Sequence, residues 1–354
     1  MKALENQALE ALAGVLNEVP PIELGEVLRQ PTIQSMYGPD FYLKLDVAGR
    51  AVTLACEVKK SGEPRFAREA LLQLRSYIAH GDPDAVPVFI APYLSQAVKA
   101  LCREHDVSFL DLEGNCRLSF NGIYIERSVP SKSTGEQRAQ KSIFWPKSAQ
   151  ILRVLLRDPA KPWRVQELAD ASDVSIGQVS KIRNALLDKE WASAGGQGIC
   201  LDKPNELLDA WREVYEPPRG ERFAFYTTLH GSAVDKALSN TPDESEKRKG
   251  KIVRASFSAA QWLSPYARVS SYYFYVDKPG LEALKSSLRM ESAARGENVF
   301  VTIPNDDGLF LDSVEPAPSI ICTSPVQTYL DLTVAGERGS EAAEHLRSEQ
   351  LKWK

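Results

Sequence analysis

The stretch Pro39-Asp40-Phe41-Tyr42-Leu43-Lys44-Leu45-Asp46-Val47-Ala48-Gly49-Arg50-Ala51-Val52-Thr53-Leu54-Ala55-Cys56-Glu57-Val58-Lys59 decides how this 354-residue chain reads. Side chains alternate faces along a strand. From Phe41 to Val47 the odd positions are apolar. From Ala51 to Lys59 the large apolar residues fall at even positions, so Glu57 and Lys59 share the opposite face. The spacing predicts two half-buried strands joined by a turn at Ala48-Gly49. Their apolar faces match only where paired residue numbers sum to an odd value. A two-residue turn pairs Val47 with Arg50 and sets Asp40 opposite Glu57. A four-residue loop pairs Val47 with Val52 and sets Asp40 opposite Lys59. Either register brings Asp40 to the Glu57/Lys59 pair and leaves the rival Asp46 roughly 20 Å away at strand rise.

Two clustered carboxylates suit a hard cation such as Mg²⁺ (or Mn²⁺), which takes oxygen ligands and keeps several waters. A lysine beside them can orient water or stabilise charge developing on a phosphate. The bland alternative is an edge hairpin carrying a solvated ion pair. Behind the hairpin, Arg65 to Ala79 reads as an amphipathic helix with Phe66, Ala70, Leu74 and Ile78 recurring every fourth residue and Ala67 and Leu71 beside them. Glu69, Gln73 and Tyr77 run along one edge of it.

Pro39-Asp40 followed by Glu57-Val58-Lys59 resembles the PD-(D/E)xK nuclease superfamily, and Gln73-Leu74-Arg75-Ser76-Tyr77 resembles the Gln-x-x-x-Tyr motif of its RecB-like branch. The resemblance implies a restriction-endonuclease-like α/β domain over 1–130. In it Asp40 and Glu57 would hold the metal, Lys59 would act on water or phosphate, and Gln73 and Tyr77 would position DNA. The coarse pattern agrees. A strand is expected at Val86–Ala91, a helix from about Ser95 to His105 and a strand at Val107–Asp111. Two short strands flank the turn former Asn121-Gly122. Asp111 is expected to form a turn.

Residues 130–142 are polar without apolar period and read as a linker. Residues 143–216 read as a winged helix-turn-helix. Helices are expected at Ser148–Leu156 and Val165–Ala171, and a third runs from an N-cap at Ser175 to about Lys189. The third helix turns Ile176, Val179, Ile182, Leu186 and Leu187 inward. Ser175, Gln178, Lys181, Arg183 and Asn184 remain for DNA bases and phosphates. Gly195-Gly196-Gln197-Gly198 can turn a wing. Ser-x-Gly-Gln-Val-Ser-Lys resembles recognition-helix starts of bacterial winged-helix regulators, and the alternative for such a scaffold is protein contact.

A third region, 221–354, carries strand-like runs at Phe223–Thr228, Tyr272–Val276 and Asn298–Ile303, and a charged loop over 241–251; an α+β domain is expected. The ending Thr323-Ser324-Pro325-Val326-Gln327-Thr328-Tyr329-Leu330-Asp331-Leu332, then Gly336-Glu337-Arg338-Gly339, closes it. With the upstream winged helix, roughly residues 145–354 resemble AbiEi-like antitoxins of type IV toxin–antitoxin systems. That resemblance implies a transcriptional regulator whose partner is a nucleotidyltransferase-like toxin. A palindrome-binding homodimer is usual for winged-helix regulators.

Composition bounds these readings. The formal net charge is −4, so a nucleic-acid surface has to be local. The five cysteines are scattered without a C-x-x-C pair, which argues against structural zinc and suits a reducing cytoplasm. The first 18 residues read as an amphipathic helix, not a signal peptide, and no apolar run reaches the ~18 residues of a membrane span. Two functions remain open: Mg²⁺-dependent DNA cleavage directed by the winged helix, and operator binding without cleavage.

Overall fold

The computed structural model describes residues 2–29, 38–129, 142–239, 250–266, 270–292 and 296–353. The chain divides into two compact units, Met1–Arg138 with Leu186–Glu190 and Ala139–Ala185 with Trp191–Lys354. The architecture is mixed α/β and α+β, as expected. Most of the linker read at 130–142 and of the charged loop at 241–251 lies outside the described residues. Among the described residues no helix is long and apolar enough to cross a membrane.

The first unit opens with helix α1 (Lys2–Asn17), followed by strands β1 (Ile22–Arg29), β2 (Phe41–Val47) and β3 (Arg50–Val58). Helix α2 (Pro64–His80) leads to β4 (Val86–Ala91), and α3 (Gln96–Glu104) leads to β5 (Ser108–Asp111). A last hairpin is made by β6 (Cys116–Phe120) and β7 (Ile123–Arg127). The seven strands form one sheet in chain order. β3, β4 and β5 run parallel, with β4 and β5 each reached through a helix, and the outer pairs are antiparallel. The β6–β7 turn is the Asn121-Gly122 pair, both at positive φ (46° and 78°), the mirror-image conformation that two-residue hairpins require.

Two cores sandwich this sheet. Leu12 and Leu16 of α1 pack on the even residues Val52, Leu54, Cys56 and Val58 of β3 and on Phe41, Leu43 and Leu45 of β2. On the other face Ala55 and Phe89 lie beneath Ala67, Ala70, Leu71, Leu74 and Tyr77 of α2 and Val98 of α3. The buried stripe of α2 holds Ala67, Ala70, Leu71 and Leu74 as expected and differs only at its margins: Phe66 and Ile78 are half-buried, while Tyr77, expected along the edge, turns in. Small alanines at 67 and 70 let the helix approach the sheet closely, which displaces the bulky Phe66 to the flank. Strand β1 escaped the sequence reading because a bulge between Leu24 and Val27 breaks the two-residue period. It pairs with β2, so the β2–β3 hairpin is interior to the sheet, not an edge.

In the second unit helices Pro146–Arg157, Val165–Ser172 and Ile176–Asp188 precede a hairpin of β8 (Ala192–Gly195) and β9 (Gly198–Leu201). Trp163 bridges to Ile199 alongside β9. Gly198 has φ +132°, and a Cβ there would lie 2.2 Å from the Trp163 carbonyl oxygen, so only glycine fits. Within the third helix Val179, Ile182 and Leu186 are buried, but Ile176 is 50% exposed. It is the first helical residue, a full turn ahead of Val179 and beyond the reach of the core.

After the helix Pro204–Val214 comes a mixed six-stranded sheet: β10 (Gly220–Phe225), β11 (Ile252–Arg254), β12 (Tyr272–Val276), β13 (Val299–Pro304), β14 (Val314–Ala317) and β15 (Ile320–Cys322). The order is β10-β13-β12-β11-β15-β14. β12 and β13 follow the runs anticipated and β10 starts and ends three residues before the run expected at Phe223–Thr228; β11, β14 and β15 are three or four residues long, too short to show a period. The aromatic strands are core, with Phe274 and Tyr275 buried on opposite faces.

Leu74 is fully buried where α2 meets the sheet. Leu74→Ala is expected to lower stability by about 2–5 kcal/mol, read as a reduced denaturant midpoint with an unchanged slope.

Candidate active site

The β2–β3 turn settles the register. Ala48 and Gly49 both take positive φ (50° and 82°), giving a two-residue turn. Val47 pairs with Arg50 and Phe41 with Cys56, so the ladder runs on to set Asp40 against Glu57. This is the first of the two registers that parity allows. Asp46 sits at the other end, exposed, its Oδ1 accepting from the Gly49 amide at 2.7 Å as a turn cap.

Asp40 is half-buried, and its Oδ2 accepts from the Val58 amide at 2.7 Å. That bond ties the chain just before β2 to the end of β3. Glu57 is only 5% exposed because α2 covers its face of β3. Lys59 holds the two elements together. Its Nζ lies 2.9 Å from Glu57 Oε1 and 3.7 Å from Glu69 Oε1, and donates to Gln73 Oε1 at 2.8 Å. The loop between Lys59 and α2 can turn this tightly because residue 62 is glycine: a Cβ there would lie 1.7 Å from the Tyr93 carbonyl oxygen.

The electrostatics are those of crowded carboxylates. Burial pushes Glu57 up to about 7, the negative charge of Asp40 adds to the shift, and Lys59 opposes it. Asp40 is raised as well, by burial first, with the Val58 amide and Lys59 pulling the other way. The Tyr77 hydroxyl is pushed up to about 12 by burial, then by the charges of Glu57 and Asp40. One lysine thus faces Asp40, Glu57 and Glu69. Two hard oxygen donors short of positive charge fit a divalent cation that keeps part of its water shell. Among the described residues no group of three or more His, Cys, Asp or Glu side chains gathers to hold a metal; Asp40 and Glu57 could supply two oxygen donors.

All five residues singled out on the hairpin and α2 come together. Tyr42, which sequence reasoning passed over, joins them. It shares the even-numbered face of β2 with Asp40, rests against the α2 core, and lines a hollow of about 340 Å³ with Ser76, Tyr77 and His80. Its parity was the available signal. Asp111, in contrast, is a turn former: fully buried, its Oδ1 accepts from the amides of Glu113 and Asn115 at 3.1 and 2.9 Å.

On the third helix of the second unit, Ser175 accepts from the Gln178 amide at 3.3 Å as the expected cap. Lys181 and Asn184 are exposed, and half-buried Arg183 donates to Asn184 Oδ1 at 3.3 Å. Gln178 departs from expectation. Its side-chain amide donates to Ser148 Oγ at 2.9 Å, turned toward the helix Pro146–Arg157 instead of outward.

None of the curated proteins compared matches this chain. Among solved structures it is similar to a repair endonuclease from Pyrococcus abyssi (15% identity, TM-score 0.21, covering 29% of this chain and 46% of that one). It is also similar to EndoMS in its apo form (14% identity, TM-score 0.20, covering 29% and 45%). The aligned segments span less than half of each of those chains. Residues 200–352 match the family described as transcriptional regulator, AbiEi antitoxin, type IV TA system, a narrower span than the 145–354 that the sequence suggested, with the three helices and most of the hairpin before it.

Proposed function

We propose that the first unit is a divalent-metal-dependent DNA phosphodiesterase and that the three helices and hairpin of the second unit act as a winged helix that directs it. The observation carrying this reading is the buried Glu57 and adjoining Asp40, both raised, with Lys59 held between Glu57 and Gln73. A cation held by Asp40 and Glu57 would supply Lewis-acid activation of a phosphate oxygen and of water. Lys59 contributes its charge at the spot where a phosphate gains charge, and Gln73 fixes its Nζ. Tyr77 and Tyr42, which line the hollow beside the carboxylates, would border the substrate strand. Lys181, Arg183 and Asn184 would contact duplex DNA; Gln178, committed to Ser148, supports the helix in place. The three-domain division 1–130, 143–216 and 221–354 belongs to the same proposal.

A second reading rests on the family match over 200–352. In it the chain is a non-cleaving transcriptional regulator and antitoxin whose partner is a nucleotidyltransferase-like toxin, and the first unit binds DNA or a second copy. The two readings separate on Glu57. If the site cuts, Glu57→Ala abolishes Mg²⁺- or Mn²⁺-dependent cleavage while DNA binding by gel shift survives. If every duplex, single-stranded and branched substrate stays intact with wild type, the first reading fails. Under both readings Lys181→Ala weakens DNA binding by roughly twofold to tenfold and lowers its salt dependence by about one contact.

The raised Glu57 has a signed consequence. Its folded pKa of about 7 exceeds the ordinary 4.5, so its stabilising contribution is full below pH 4.5 and is lost as pH rises through 7. In metal-free protein, wild type should therefore lose stability relative to Glu57→Gln between pH 4.5 and 7. Mg²⁺ should return part of that loss at pH 8 in wild type and none in Asp40→Asn. Parallel pH profiles of wild type and Glu57→Gln would contradict the assignment.

A further inference from the structure

The second unit contains a cavity of about 620 Å³ that neither reading of the protein uses. It lies among the helix Pro146–Arg157, the segment Trp211–Arg219 and the turn Pro304–Leu309. Its size is that of small-molecule sites, which run roughly 300–1,000 Å³ with apolar walls and a few polar groups. The walls fit this description. Phe144 stacks on Trp211 with ring centroids 5.5 Å apart and planes 17° apart, Trp145 is 60% exposed, and Pro217 and Pro218 stiffen one side.

The polar lining is unusual. Arg153, only 5% exposed, lines the cavity. Its Nη1 donates to Gln327 Oε1 at 3.1 Å and its Nη2 to the Gly308 carbonyl at 3.4 Å, both neutral acceptors. Among the described residues its Nε has no hydrogen bond; it makes a long ion pair, 3.9 Å, with Asp312 Oδ2, while Asp312 Oδ1 is taken by Arg157. Two of five guanidinium N–H groups are thus engaged among the described residues. Two neighbours repeat the pattern. Among the described residues Gln150 Oε1 and Asp331 Oδ2 are buried without hydrogen-bond partners, in residues 3% and 6% exposed. Asp331 uses its other oxygen for Tyr215, Tyr275 and Gln327.

The other carboxylates around the cavity are engaged. Asp306 lies 3.8 Å from Lys147 and accepts from Gln150 Nε2, and Glu216 lies 3.3 Å from Arg219. Arg153 is the cation in the lining left with spare donors and no hydrogen-bonded anion, and a guanidinium pairs best with a planar acid. Aromatic walls favour a flat ring system. We propose that this cavity is a binding site for a small planar aromatic acid, its ring among Trp145, Trp211 and the prolines and its carboxylate on Arg153. The same helix carries Ser148, the acceptor for Gln178, so an occupant would touch the element that steadies the third helix.

The test is calorimetric titration of the full chain with 1-naphthoate and with the matched neutral probe 1-naphthamide. Saturable naphthoate binding about tenfold or more tighter than naphthamide binding is expected. Arg153→Met should erase that preference while naphthamide still binds. Trp145→Ala, at an exposed position that leaves folding intact, should weaken both probes. Absence of saturable naphthoate binding, equal binding of the two probes by wild type, or unchanged binding by Trp145→Ala would each overturn the proposal. Should Arg153→Met not fold, the acid–amide pair on wild type and Trp145→Ala decide the matter. None of these readouts depends on DNA or on cleavage.

Discussion

One strand has to serve two cores. The even residues of β3 fill the space under α1, and its odd residues face α2, so every side chain from Leu54 to Val58 is buried. Burial on both faces leaves the strand no freedom of register, because a slip of one residue would drive Glu57 into the α1 core and bring Cys56 beneath α2. The position of Glu57 follows from this constraint, and so does that of its neighbours. Asp40 is carried to Glu57 by the β2 ladder, and Gln73 and Tyr77 are carried over it by a helix that packs through alanines. The site is a by-product of satisfying hydrophobic layers, with its carboxylates held at raised pKa by the same burial that fixes them.

Polar groups in such a place are held at a cost, and the structure shows how it is offset. Lys59 answers Glu57 and Gln73 together, and the Val58 amide answers Asp40. What remains is excess negative charge, which a divalent cation would relieve. The second unit shows the converse. Around Arg153 the buried groups include two carboxylates, yet donors on Arg153 and single oxygens of Gln150 and Asp331 stay without partners. The first site is short of positive charge, and in the second the donors of the arginine are only partly filled. Both are places where the fold has not closed its own polar account.

Much of this was legible from the residues. Parity chose Asp40 over Asp46 and named the turn; Ser95 and Ser175 marked helix starts; Asn121-Gly122 marked the last hairpin. What escaped has identifiable physical causes. The bulge in β1 breaks alternation, and β11, β14 and β15 are too short to have any. The stripe on α2 was legible at Ala67, Ala70, Leu71 and Leu74 and shifts only at its margins, where Phe66 yields to Ala67 and Tyr77 turns in past Ile78 as helix and sheet come close. Gln178 looked like a surface residue because its partner, Ser148, lies 30 residues away on another helix. The Arg153 cavity draws on segments spread from Phe144 to Gln327, and no local spacing announces a site of that kind.

The two-residue turn at Ala48-Gly49 acts as a ruler for the site. Loops ordinarily absorb insertions and deletions without harm, and surface hairpins are where homologous chains drift apart in length. Here the two-residue turn fixes which residues pair. If one residue were added and the turn stayed two residues long, β3 would slide one step along β2, match the apolar face of β2 to the wrong face of β3 and set Cys56 against Asp40. Two added residues with the same turn would keep the faces matched but set Asp40 against Ala55, one step farther from Lys59. An exposed turn nearly the full length of the strands away from any chemistry therefore decides which residue Asp40 meets, unless an added residue is taken up by a longer loop. Length variation in descendants of this chain should be concentrated elsewhere.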